Sequence, residues 1–213
     1  MDRSPEDVAR RVLDRYGRTF AEEAGIALVD EPAPLFQLLV LAQLLSARIG
    51  AGIALTTAGE LHNAGWTTPQ RLRDASRPRV VTALGRGGYR RYDERTATQL
   101  REMGALVLDR YGGDLRKLAH QADGDVREAA RLLQEVKGIG PTGAAVFLRE
   151  VQQVWPWVRP YLGERVCAGA GRIGLPEGGD TLADLVAPDD LARFAAGLVR
   201  VSLLPRGRDP FVG

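Results

Sequence analysis

The chain has 213 residues, 45% of them apolar, which suits one large or two small domains with an ample core. Its 29 Lys and Arg against 27 Asp and Glu leave a net charge of +2, a weak basic balance that permits a polyanionic partner without demanding one. A single cysteine, Cys167, excludes an intramolecular disulfide, a thiolate zinc site and a cysteine-ligated iron–sulfur cluster. No apolar run approaches the roughly 18 residues of a membrane span, and no basic n-region precedes an apolar stretch at the start, so neither membrane insertion nor export is indicated. A cytoplasmic monomer in a reducing compartment is the expectation.

Helical periodicity dominates from end to end. Residues 5–16 place Val8, Val12 and Leu13 on one stripe of a surface helix. After Pro32 and Pro34, "LFQLLVLAQLLSA" (35–47) is apolar nearly all round, which predicts a central buried helix. Shorter helices are predicted over 51–62, 68–75 and 78–84, with Thr67 and Thr68 as caps, then a longer one over 93–111. A Gly-Gly-Asp turn leads into a helix from about 114, another spans 125–136, the next 142–154, and the last 181–200, starting near Thr181. Strand signals are nearly absent, so the fold class is all-α, about ten helices with short links. The tail "PRGRDPFVG" is expected to be loose.

The most specific stretch is "EVKGIGPTGAA" (135–145). Gly138 and Gly140 permit backbone shapes and close approaches that a Cβ would block, and Pro141 suits a first helical position, where its missing N–H costs nothing. The amides around Gly138, Gly140, Thr142 and Gly143 therefore offer either a plain connection or a positive concavity for a phosphate.

This stretch resembles the helix-hairpin-helix of the endonuclease III-like base-excision DNA glycosylases, whose hairpin reads L-P-G-V/I-G. Val136 and Lys137 stand where that pattern has leucine and proline, and Gly138, Ile139 and Gly140 match it. "PLFQLLVLAQLLSAR" (34–48) is similar to the family's early P-F-x-L-L-x-x-x-L-L-S-x-Q helix. "GRGGYRRYDERTATQLREMGALVLDRYGGDL" (85–115) resembles its G-x-x-x-x-K-A-x-x-I segment and the following G-G turn. The resemblance covers about residues 30–170. It implies a two-lobed helical fold with the DNA-binding cleft between lobes, mapped as 50–155, with the hairpin motif at about 125–154, and 1–49 plus 156–213. It also implies double-stranded DNA, damaged or abasic, as partner, with a hairpin phosphate clamp formed by Lys137, Gly138, Ile139, Gly140, Thr142 and Gly143.

The chemistry departs from the family. Base removal requires an activated water beside a carboxylate, or a lysine that forms a Schiff base. The lyase lysine aligns with Thr142, whose hydroxyl cannot form an imine, and the essential aspartate aligns with Pro160 or Tyr161. Glu164 is the nearest carboxylate that could substitute, or else a surface residue. Altered or lost glycosylase chemistry is therefore expected, with an active monofunctional glycosylase or a non-DNA module as alternatives. The family's cluster-binding cysteines are absent; a cation held by hairpin carbonyls when DNA is bound requires no side-chain ligand, and no other metal or cofactor is expected.

Other reader positions have counterparts. Arg48 stands where the family places a glutamine that fills the gap left by an extruded base, or is a solvated helix end. "RGGYRRYDER" (86–95) sets Arg86, Arg90, Arg91 and Arg95 beside Tyr89 and Tyr92, a patch suited to phosphates and stacking. The two tyrosines are three apart, so one belongs to the core, and Tyr89 is expected to be the exposed one. Trp155, Trp157 and Tyr161 either stack on an extruded base or plug the pocket. Because Lys117 and Lys137 are the only lysines, the positive charge is nearly all arginine, which suits phosphate forks and equally follows from genome composition.

Overall fold

The structure, a computed structural model, describes residues 4–205 and 207–211. Among these there is no strand, and thirteen α-helices form: α1 (Pro5–Tyr16), α2 (Phe20–Glu23), α3 (Pro32–Ser46), α4 (Ala51–Asn63), α5 (Pro69–Asp74), α6 (Arg77–Arg86), α7 (Asp93–Tyr111), α8 (Arg116–Ala122), α9 (Val126–Gln134), α10 (Pro141–Val151), α11 (Glu164–Gly171), α12 (Gly179–Ala183) and α13 (Leu191–Leu203). Single 3₁₀ turns lie at Pro156–Val158 and Pro188–Asp190. No helix is long and apolar enough to cross a membrane.

Contacts divide the chain into two units, Ala21–Phe147 and Met1–Phe20 with Leu148–Gly213. The continuous unit is built on α3, whose Leu35, Phe36, Leu38, Leu39, Val40, Leu41 and Leu44 are all buried. A helix apolar on every side must be surrounded. It packs against α4, and its Gln43 hydrogen-bonds Gln99 of α7, so α3 belongs to this unit and not with the chain ends as the resemblance implied. α4 packs on α6, and α5 and α6 pack on α7. Two glycines make these crossings close: a Cβ on Gly87 would fall 2.5 Å from Thr57 Cα, and one on Gly104 2.6 Å from Pro69 O.

Side-chain caps set several boundaries. Thr68 Oγ1 accepts the Arg71 amide at α5, and Asp125 Oδ1 accepts the Arg127 amide at 2.7 Å at α9. α7 ends where Gly112, with φ of 63°, donates its amide to Leu108 and Gly113 donates to Val107, a glycine-terminated end that satisfies carbonyls otherwise left unpaired.

In the unit of both chain ends α13 is central, with Phe194, Ala195, Ala196, Gly197 and Leu198 buried between α1 and α11. A Cβ on Gly197 would lie 2.7 Å from Val12 Cγ1, and one on Gly169 would collide with the Leu198 carbonyl. The helix expected over 181–200 is broken: α12 stops at Ala183, and Pro188, which has no amide to donate, opens a separate turn before α13. Thr181 Oγ1 donates to Gly178 O there. The tail is not loose where described. Tyr16 Oη donates to Pro210 O at 2.6 Å, and the Arg11 guanidinium lies 4.1 Å from the centre of the Phe211 ring. Arg206, Val212 and Gly213 lie outside the described residues.

Candidate nucleic-acid interface

α9 closes with the Glu135 and Val136 amides bonded back to Leu132 and Leu133, and the Ile139 amide donates to Val136 O at 2.9 Å. Val136 and Ile139 are buried, so these two side chains pin the turn while Lys137 between them and Gly140, Pro141 and Thr142 after them are exposed. Gly138 adopts φ of 97°, a left-handed conformation that strains any residue with a Cβ. It also lies against Gln43, whose Nε2 would be 2.5 Å from a Cβ placed there. Gly140 is different. No atom lies within 4 Å of where its Cβ would stand, and its φ is outside the left-handed range.

Among the described residues the amides of Gly138, Gly140, Thr142 and Gly143 donate to no acceptor; the first bond into α10 is Ala144 N to Gly140 O at 2.9 Å. Those of Gly140, Thr142 and Gly143 are the unsatisfied donors of the α10 start, at the positive end of its dipole, and that of Gly138 lies in the turn before it. Thr142 is exposed, and Lys137 pairs with Glu102, its Nζ 3.2 Å from Oε2.

Two contacts extend outward from these elements: one joins the hairpin to the end of α3, the other joins α4 to the turn before α7. Ser46, at the end of α3, has its Oγ 3.6 Å from the Cβ position of Gly143. Arg48 follows, exposed and without an ion pair or hydrogen bond among the described residues. Next comes Ile53 in the first turn of α4, 38% exposed, its Cγ2 3.7 Å from the Cβ position of Gly88. The turn after Gly88 carries Arg90, Arg91 and Tyr92, and Arg95 follows in the first turn of α7. Arg90 and Arg95 have no partner among the described residues; the Arg91 guanidinium lies 5.3 Å from the Tyr92 ring centre. Arg86 is held by Glu60 at 2.7 Å, so its charge is neutralised at this surface.

Tyr89 corrects the sequence expectation. It is 3% exposed, and its hydroxyl accepts from Thr96 Oγ1 at 3.1 Å, so it packs α7 against the turn and has no face for stacking. Tyr92, 40% exposed, is the solvent-facing member of the pair. Sequence reading also passed over Gln43, Ile53 and Glu102; only Gln43 left a signal, as a polar residue within an apolar helix.

The chain-end unit holds the remaining candidates. Trp155 is buried and stacks on Trp157 with ring centres 5.5 Å apart. Gln152, fully buried, accepts the Tyr161 amide at 2.9 Å and donates to the Tyr161 carbonyl at 3.2 Å, clamping that segment. Burial pushes the Tyr161 phenol up, with the Arg149 charge pulling the other way. Glu164 is the exposed first residue of α11, with no hydrogen bond or ion pair among the described residues. Among the described residues Arg149 and Glu150, 3.3 Å apart, are the only charged residues buried in this unit, and they were not singled out from sequence; Arg149 also lies over the Phe20 ring, which Arg200 covers at 4.2 Å. Among the described residues no group of three His, Cys, Asp or Glu is placed to hold a metal ion.

No protein-family model matches the chain, and no curated protein matches it in sequence. Solved structures do share its fold. An endonuclease III trapped as a covalent intermediate with DNA, in an estranged-adenine complex, is 16% identical with a TM-score of 0.51, over 93% of this chain and 85% of that one. A thermostable thymine-DNA glycosylase is 14% identical with a TM-score of 0.56, over 93% and 90%. At these identities the likeness is one of fold.

Proposed function

We propose, from the fold shared with these two proteins, that this chain binds double-stranded DNA, favours damaged or distorted duplex, and has altered or lost glycosylase chemistry. One observation carries the reading. Nothing inside the protein requires glycine at 140: the backbone is unstrained and the Cβ side is empty, yet four unsatisfied amides surround it. A phosphate oxygen approaching those amides supplies the missing reason for a residue without a side chain. Arg48, Arg90 and Arg95 add exposed guanidinium groups without an ion pair, Arg91 adds one set against the Tyr92 ring, and Ile53 and Tyr92 add apolar area for contact with a distorted step.

The chemical half of the proposal rests on what stands at the reacting positions. Thr142 offers no amine for an imine, and neither Pro160 nor Tyr161 carries a carboxylate. Glu164 keeps a solvated carboxylate at a helix start, a position that dipole stabilisation explains on its own. The test is titration of the purified chain with intact, mismatched and abasic duplexes at low salt, with the same mixtures assayed for free base. Tighter binding of the abasic duplex without base release is the expected result. Base release abolished by Glu164→Gln would make the chain a monofunctional glycosylase, and absence of binding to every duplex would refute a DNA role.

A further inference from the structure

Lys137 is the one cationic side chain of the hairpin turn, one residue before Gly138 and its free amides. Its ammonium contacts both oxygens of Glu102 on α7, at 3.3 and 3.2 Å. The Lys137 side chain is 66% exposed and that of Glu102 41%, but Glu102 Oε2 is shut off from solvent and, beside its ionic contact with Lys137, accepts no hydrogen bond among the described residues. Lys137 is thus the charge partner of a partly desolvated carboxylate, a group that is costly to leave alone.

We infer that Glu102 is a built-in competitor of the DNA phosphate for Lys137. The inference rests on the reading of the hairpin as a phosphate clamp. An anion seated on the amides of Gly138 and Gly140 draws the neighbouring ammonium toward itself, and Lys137 reaches it only by leaving Glu102. DNA engagement is then an exchange of ion pairs, and Glu102 subtracts from affinity by stabilising the free state. The opposite role is physically distinct: a structural pair that braces the hairpin for binding adds to affinity.

The sign of one substitution separates the two. Glu102→Gln keeps the shape of the side chain, removes its charge and frees Lys137, so duplex affinity at low salt should rise about two- to fivefold, the range expected for one exposed ion pair. In a Lys137→Met background the same substitution should change affinity less than about 1.5-fold, because no ammonium remains to be released. Weaker binding by Glu102→Gln overturns the inference in favour of bracing. A gain that persists without Lys137 overturns it in favour of a long-range charge effect. Wild-type protein that binds no duplex overturns both this inference and the clamp reading, whereas unchanged affinity in Glu102→Gln with wild-type binding intact overturns the competitor alone. Thermal melts of each variant confirm that the comparison is made between folded proteins.

Discussion

Gly138 and Gly140 are two residues apart and serve opposite ends. The first is demanded from within, by φ of 97° and by the Gln43 side chain at its back. Gly138→Ala should therefore cost about 1–3 kcal/mol of stability in a denaturant titration. Gly140→Ala meets empty space and should cost under about 1 kcal/mol, while a methyl group over the free amides lowers duplex affinity at least about tenfold in an anisotropy titration. A Gly140→Ala protein that binds as well as wild type would remove the clamp from the interface. The sequence marked both positions but not their difference, since a glycine looks the same whether the constraint is internal or external. The same limit applied to Tyr89 and Tyr92. Their spacing says that one is buried, and only the hydroxyl of Thr96, on the next helix, decides which.

At the scale of elements, what was legible tracks local chemistry. α7 occupies Asp93–Tyr111, the range read from its acidic start and Gly-Gly end, and α5 follows its Thr68 cap. Three features were not legible. α2, only four residues long, is too short to show a period. α11 has buried only Val166, Gly169 and Ala170, too thin a stripe to show as a period, and the weak pattern across Pro188 joined two helices that the proline separates. What holds α11 in place is Gly169, across which it meets the backbone of α13. Alanine is the better helix former by about 1 kcal/mol, but here its methyl group collides with a carbonyl that cannot turn aside. Gly169→Ala should lower stability by about 2 kcal/mol or more, read from the urea midpoint. A neutral or raised midpoint would mean that the crossing is looser than its geometry.

For the whole molecule, a net charge of +2 is a poor guide to where a polyanion binds. Pairing decides it: Arg73 with Asp74, Arg77 with Glu94, Arg116 with Asp114, Arg131 with Glu128 and Arg193 with Asp190 cancel one another locally. The arginines left over around the end of α3 and the turn before α7 are Arg48, Arg90, Arg91 and Arg95, a segregation that tertiary contacts create and composition conceals. If each meets one phosphate, the plot of log affinity against log salt has a slope of roughly −3.5, and replacing Arg90 and Arg91 with alanine makes it shallower by roughly 1.8. A slope unmoved by that double substitution would place the phosphate contacts elsewhere.

The seat of Gly197 against Val12 carries a consequence for inheritance. One volume is shared by two positions 185 apart on the chain, and a methyl group added at 197 needs the Val12 side chain to give way. An alanine arising at 197 costs about 1–3 kcal/mol against Val12 and less beside a smaller residue at position 12, so the two positions are coupled and the order in which they change matters.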